Sequence, residues 1–333
     1  MTPSPVRVLS DDNVSQLLSL SALLPVVEAA FVKQGRGEVE RPPRPHFPVG
    51  TGETGENPAG TALTMPAYLH GSDTYATKLA AVHGGNAERD LPTVNAQIAL
   101  TDAETGLPLS YMAGTRITNA RTGCIGGLSA KYLAAGDEPI RLGVVGAGTQ
   151  ARWQTRAVAA ATNLDSVRIY SPSESREACA ADLRDANELG GVDVQAVETP
   201  EAAVAEANVV VTATTSEEPV FPGSALDSGT LVVAVGAYTA EMRELDSETM
   251  ERAARVFADV PEEAAETGDV SGAGLSASEL TPLSDVFEGK SGRESNEEIL
   301  VVASVGTAVL DAATAAHVYE AAEEEGAGRE VGL

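Results

Sequence analysis

Lysine is nearly absent from this chain. Four lysines (Lys33, Lys78, Lys131 and Lys290) stand beside eighteen arginines and 49 acidic residues, for a formal net charge of -27. Such a charge repels a phosphate backbone and argues against nucleic acid as a partner. The acidic excess is spread along the sequence and is not gathered in a tail. It reads as the surface of a halophilic protein working in molar salt, where the Debye length shrinks to about 3 Å and self-repulsion is screened. Cysteine is scarce too: Cys124 and Cys179 cannot build a disulfide framework and lack metal spacing. The histidines His46, His70, His83 and His317 form no ligand pair at helical spacing, so no metal is expected. Long hydrophobic runs are missing. The longest aliphatic run, residues 299–303, falls well short of the roughly 20 residues that cross a bilayer. No basic, apolar leader opens the chain. These absences point to a reduced, cytoplasmic protein without a membrane partner.

What is present fits two packed domains, with 333 residues and 43% hydrophobic content. Residues 6–9 read as a strand, and Ser10-Asp11-Asp12 as the cap of a helix around 14–18. A second helix is expected over 21–34, with Leu24, Val27, Ala30 and Phe31 on one face and Gly35-Arg36-Gly37 at its end. Residues 41–48 are proline-rich and extended, and 50–60 form a polar, glycine-rich connector. Strands are expected at 61–65, 74–82, 94–101 and 108–113, then a helix over 121–135, then a boundary at Gly136-Asp137-Glu138-Pro139.

Beyond that boundary strands and helices alternate. Strands fall at 140–145, 167–170, 192–197, 209–213, 231–235 and 256–258, with helices starting near Thr149, Ser173, Pro200 and Asp246. This alternation means a parallel sheet with crossover helices. The run Val209-Val210-Val211 suits a sheet covered on both faces. Residues 296–323 read as one long helix, with Val301, Val305, Val309, Ala312 and Ala316 in phase. The expected class is α/β: a doubly wound parallel sheet plus a smaller α+β domain.

The turn Gly146-Ala147-Gly148-Thr149-Gln150-Ala151 carries the first chemistry. It follows an aliphatic strand directly and opens a helix. Gly146 permits a tight turn, Gly148 lets backbone approach a pyrophosphate, and Ala151 is small enough for helix-on-strand packing. In this context it is a Rossmann-type dinucleotide site. About twenty residues on, an acidic residue would favour NAD through the ribose 2′-hydroxyl. This chain has Tyr170-Ser171-Pro172-Ser173 with Arg176 a turn later, which suits a 2′-phosphate and favours NADP over NAD. Glu174 argues the other way, because it could turn inward and reject a phosphate.

The second chemical feature is Lys78, set in the apolar strand Ala76-Thr77-Lys78-Leu79-Ala80-Ala81-Val82. An outward-facing strand lysine is the ordinary arrangement. In so lysine-poor a chain, burial and a lowered pKa useful for proton transfer carry equal weight.

With these features the sequence resembles the ornithine cyclodeaminase/mu-crystallin family over nearly its whole length. The motifs that carry the resemblance are Pro42-Pro43-Arg44, Met65-Pro66, Thr77-Lys78, Leu91-Pro92-Thr93, Ile117-Thr118-Asn119-Ala120-Arg121-Thr122, the glycine turn, Glu244-Leu245-Asp246 and Ser304-Val305-Gly306-Thr307-Ala308. The resemblance implies that Arg44 and Arg121 grip a substrate carboxylate, a match for guanidinium forks. It implies that Lys78 is the active-site lysine beside the reacting Cα–N bond, and that Val305 helps close the pocket. Thr93, Thr149, Gln150, Ser171, Thr214 and the Val235-Gly236 turn would touch the cofactor, joining Gly146, Gly148, Ala151, Ser173 and Arg176.

The resemblance also implies a discontinuous fold. Residues 1–125 and 305–333 would bind substrate and dimerise, around a Rossmann domain of 126–304. Two positions depart from true ornithine cyclodeaminases. The acidic residue after the fifth-strand glycine turn is replaced by Tyr238. The acidic residue three before the Met-Pro proline is Leu63. A charged ornithine side chain would then be buried unpaired. The expected activity is NAD(P)-dependent oxidoreduction at the C–N bond of a small amino or imino acid, as in a ketimine reductase or an alanine dehydrogenase. Ornithine cyclisation and NADPH-dependent ligand binding are the two rival readings.

Overall fold

The computed structural model describes residues 5–52, 58–89 and 91–332. Part of the expected glycine-rich connector, residues 53–57, lies outside them. In chain order the elements are β1 (Pro5–Leu9), α1 (Asp11–Leu17), α2 (Leu20–Gly35), β2 (Val39–Glu40), β3 (His46–Val49), β4 (Gly60–Leu69), β5 (Thr74–Val82), β6 (Val94–Asp102), β7 (Pro108–Ala113) and α3 (Gly114–Leu133). They continue with β8 (Ile140–Val145), α4 (Thr149–Ala161), β9 (Leu164–Tyr170), α5 (Ser175–Arg184), β10 (Asp193–Ala196), α6 (Pro200–Val204), β11 (Val209–Thr212) and β12 (Leu231–Ala234). The last are α7 (Ser247–Arg252), β13 (Ala253–Ala258), α8 (Pro261–Ala264), α9 (Gly268–Ser271), β14 (Thr281–Pro282), α10 (Leu283–Phe287), β15 (Ile299–Ala303), α11 (Ala308–Glu325) and β16 (Arg329–Gly332). They form two compact units, Met1–Arg121 with Ala308–Leu333, and Thr122–Thr307.

The first unit is a mixed eight-stranded sheet ordered β16-β1-β7-β6-β5-β4-β2, with β3 also on β4. Its inner face carries the buried side chains Met65, Ala67, Ala76, Ile98, Leu100 and Met112. Helices α2 and α11 pack on it and on each other, burying Leu23, Val27 and Phe31 from one and Leu310, Ala315 and Val318 from the other. Each of the Leu, Val and Phe side chains contributes about 1.5–3 kcal/mol on leaving water. Strand β4 runs on past the expected end at residue 65. Pro66 does not stop it, because β3 covers only residues 60–63 and β2 only 68–69 of that edge. A proline is tolerated where no neighbour needs its missing N–H. Helix α3 begins at Gly114, seven residues before the expected start, because β7 runs straight into it without any turn signal.

The second unit is a parallel sheet ordered β10-β9-β8-β11-β12-β15-β13-β14. Its central strands β11, β12 and β15 are buried throughout, which explains their unbroken aliphatic sequences. The order reverses between β8 and β11, the switch point where α/β sheets bind ligands. One expectation is overturned here. Residues 296–323 are not one helix: β15 sits between β12 and β13, and a turn with Gly306 at φ 78° separates it from α11. A short β-branched run cannot be told from a buried helix by periodicity alone.

Among the described residues no single helix is long and apolar enough to cross a membrane. No cluster of histidine, cysteine and acidic side chains among them could hold a metal ion.

Candidate active site

Strand register decides which β5 side chains turn inward. Lys78 lies opposite Met65 of β4 and Ile98 of β6, so it shares their buried face. It is 2% exposed. A buried ammonium needs a partner, and Lys78 Nζ donates to Asp311 Oδ2 at 2.5 Å. The other oxygen of that carboxylate accepts from Arg121 Nε at 2.9 Å. Asp311 stands in the first turn of α11, where the helix dipole favours an anion. One carboxylate thus joins β5 to α3.

The electrostatics follow from this geometry. Burial is the largest influence on Lys78 and lowers its pKa to about 8, with Asp311 opposing and the Arg121 and Arg44 charges adding to the fall. Burial alone would raise the Asp311 carboxyl, but Arg121 and Lys78 outweigh it and hold the group below its ordinary range. Arg44, half-buried in the extended segment before β3, is therefore close enough to act on Lys78. Arg121 is 4% exposed, and its Nη1 is a buried donor without a hydrogen-bond partner among the described residues. Such a donor costs about 1–3 kcal/mol until an acceptor arrives. A buried amine near neutrality beside an unsatisfied guanidinium can receive a carboxylate and move a proton. Leu63, opposite Ala80 and two positions along β4 from Met65, lies on the same face as Lys78.

The second unit offers a different kind of site, built from turns. Gly146 has φ 116°, and a Cβ there would run into the Ala213 carbonyl beyond β11. No larger residue fits this close approach at the switch point. Gly148 caps α4, and the space a Cβ would take is open. Arg152 steadies the turn by donating to the carbonyls of Ala147 at 2.6 Å and Gly148 at 3.2 Å. Thr149 and Gln150 open the helix, and Ala151 is fully buried against the sheet. A bare glycine turn at a helix N-terminus fits a dinucleotide pyrophosphate.

The opposite lip carries Thr214, Val235 and Gly236, at the ends of β11 and β12. Glu244 fastens it: its buried carboxylate accepts from Thr212 Oγ1 at 2.8 Å, Thr214 N at 2.6 Å and Gly236 N at 2.8 Å. Burial first, and Asp269 second, push this carboxyl up to about 7. Asp259 does the same for the turn after β15, accepting from Ser304 Oγ at 2.7 Å, Val305 N at 3.0 Å and Gly306 N at 2.7 Å. At the end of β9, Ser171 and Ser173 each lie within hydrogen-bond distance of Ser175 Oγ, 3.2 Å and 2.8 Å. Arg176 turns back onto the carbonyls of Ser171 and Ser173, both at 3.2 Å, and pairs with Glu198 at 2.7 Å.

Lys78, Arg121 and Arg44 thus come together in the first unit. The glycine turn, Thr149, Gln150, Ala151, Ser171, Ser173, Arg176, Thr214, Val235 and Gly236 belong to the second, as does Val305. Thr93 belongs to the first, exposed, with its carbonyl accepting from His83 N at 2.8 Å. Sequence reasoning missed Asp311, Asp259 and Glu198, and gave Glu244 no role. Asp311 had one signal: a single acid in the apolar stretch 308–316, available to a buried lysine.

Comparison with known proteins identifies the chain's relatives. The sequence model of the ornithine cyclodeaminase/mu-crystallin family matches residues 6–326. The chain is 33% identical to an alanine dehydrogenase of Archaeoglobus fulgidus, covering 97% of each. It superposes on the Thermococcus litoralis Δ1-pyrroline-2-carboxylate reductase in complex with NADH and L-proline with a TM-score of 0.90, at 33% identity, covering 98% of this chain and 100% of that one. An archaeal alanine dehydrogenase dimer with bound NAD gives 0.87 at 31% identity, covering 98% and 99%.

Proposed function

The chain belongs to the ornithine cyclodeaminase/mu-crystallin family, and from that premise we propose that it is an NAD(P)-dependent oxidoreductase acting on the C–N bond of a small α-amino or α-imino acid. Reduction of a cyclic ketimine and dehydrogenation of an alanine-like amino acid are its two forms. The observation that carries this reading is the buried Lys78–Asp311–Arg121 cluster with an unsatisfied Arg121 Nη1.

In the reductive direction the C=N bond gains a hydride at Cα and a proton at nitrogen. The nicotinamide, when bound, supplies that hydride. Arg121 Nη1 and Arg44 take the substrate carboxylate, fixing the Cα–N bond beside Lys78. Lys78 donates the proton to nitrogen, and its pKa of about 8 makes it both a proton donor and, once neutral, tolerable in its buried setting. Asp311 stays ionised and holds Lys78 and Arg121 in place. Leu63, on the Lys78 face, offers no counter-charge to a distal amine, which favours apolar or cyclic substrates.

The outer face of the first unit's sheet exposes Val8, Tyr75, Leu79 and Tyr111, an apolar surface that suits a second copy of the chain. A homodimer is part of the proposal, and sedimentation as a monomer in high salt would contradict it. The two cysteines are free and buried, and burial pushes the Cys124 thiol up to about 12, consistent with work in a reducing cytoplasm.

The functional test is an assay of pyrroline- and piperideine-2-carboxylate, and of pyruvate with ammonia, against NADH and NADPH, with ornithine in parallel. Oxidation of the reduced cofactor by an imine is the expected result. Proline and ammonia from ornithine without added NAD(P)H would make the protein a cyclodeaminase. Tight NADPH binding without turnover of any substrate would make it a binding protein.

A further inference from the structure

The arginine on which a preference for NADP would rest is already engaged. Arg176 Nη1 donates to the backbone carbonyls of Ser171 and Ser173, and Nη2 is paired with Glu198 Oε2 at 2.7 Å. Only 16% of the Arg176 side chain is exposed, whereas Glu198 is 79% exposed. Ser171 and Glu198 lie just past the ends of β9 and β10, which are neighbours in parallel. In a Rossmann-type sheet the end of the second strand is where the adenosine ribose is read: an acid accepts from its 2′-hydroxyl, or an arginine receives its 2′-phosphate. Here both groups are present and bound to each other, the acid supplied by the adjoining strand.

We propose that Glu198, and not Glu174, decides between NADH and NADPH in this protein. The inference rests on the reading of the second unit as a dinucleotide site. With NADH, the Glu198 carboxylate accepts from the ribose 2′-hydroxyl while keeping Arg176 neutralised. With NADPH, the 2′-phosphate has to displace Glu198 from Arg176, and meets a like charge until it does. The exposed carboxylate can swing into water, so the phosphate is disfavoured and not excluded. Ser171, Ser173 and Ser175 then provide hydroxyls for whichever group is present. Glu174 sits at the cap position of α5 and makes no side-chain cap bond.

The test is a fluorescence titration of NADH and NADPH at one fixed salt concentration on the wild type, Glu198→Gln, Glu174→Gln and the double variant Glu198→Gln/Arg176→Gln. Glu198→Gln frees Arg176 and should shift the ratio of dissociation constants towards NADPH by about tenfold. The double variant should lose that gain, and Glu174→Gln should keep the wild-type ratio. If both cofactors bind and Glu198→Gln leaves the ratio within about twofold, the proposal is wrong. If the wild type binds neither cofactor, the dinucleotide reading itself fails and this inference falls with it.

Discussion

The two units hold polar groups in opposite ways. In the first, the candidate site is made of side chains on regular elements: a strand lysine and a helix arginine, both bonded to one helix aspartate and all buried. In the second, the crevice is made of backbone turns, and buried carboxylates serve to pin their N–H groups. The first arrangement stores ionisable chemistry that can change charge during a reaction. The second fixes shape and leaves open space over Gly148, where the proposal seats a cofactor phosphate. A catalytic site needs the former and a cofactor cradle the latter.

Asp311 offers the largest expected effect on this contrast. Asp311→Ala leaves Lys78 and Arg121 buried without their counter-charge and should cost about 3–5 kcal/mol of stability by chemical denaturation. Asp311→Asn is the milder probe. Because Asp311 raises the Lys78 pKa against burial, its loss should move that pKa lower. With Lys78 as the proposed proton donor, reductive kcat/KM should fall as pH rises through about 8 in the wild type and at lower pH in Asp311→Asn. A pH profile unmoved by the substitution would separate the aspartate from the chemistry.

Glu244 tests the other half. Its carboxylate accepts three donors, and a glutamine amide cannot accept all of them. Glu244→Gln should cost about 1–3 kcal/mol of stability and weaken NADH binding, with the kcat of cofactor-saturated enzyme little changed. Because burial lifts the folded pKa to about 7, above the ordinary 4.5, the group favours folding at low pH and loses that advantage as pH rises through about 7. A kcat loss without a cofactor-affinity loss would blur the distinction between the units.

The smallest effect lies on the surface of the helix that carries Asp311. The last turn of α11 holds Glu323, Glu324 and Glu325 and no base, against the helix dipole. Glu325→Lys should stabilise the protein by about 0.3–1 kcal/mol at low salt, and the gain should vanish in molar KCl. A gain that persists in molar KCl would mean that the acidic surface is not tuned by screening.

Much of this molecule is readable from sequence where local rules dominate. The glycine turn, the alternating strands and the apolar face of α2 all follow from backbone sterics and periodicity. Lys78 was conspicuous through rarity alone. Glu198 and Asp259 were not legible, and Asp311 showed only as a lone acid in an apolar stretch, because their partners are distant in sequence and only tertiary packing brings them together. Residues 299–303 were misread for a related reason: a five-residue aliphatic run has no period of its own, and Gly306 was the one mark that a strand ended before α11 began. Arg176 was legible as a cation, but its partner was not, and the partner changes what that cation can bind.

The most direct test of the division between the units is Lys78→Met, measured for cofactor binding and for ketimine reduction on the same preparation. The account predicts an NADH dissociation constant within about twofold of wild type and a fall in kcat of about 10³-fold, the scale of a lost proton donor. Near-wild-type turnover, or a loss of cofactor affinity in step with activity, would contradict it.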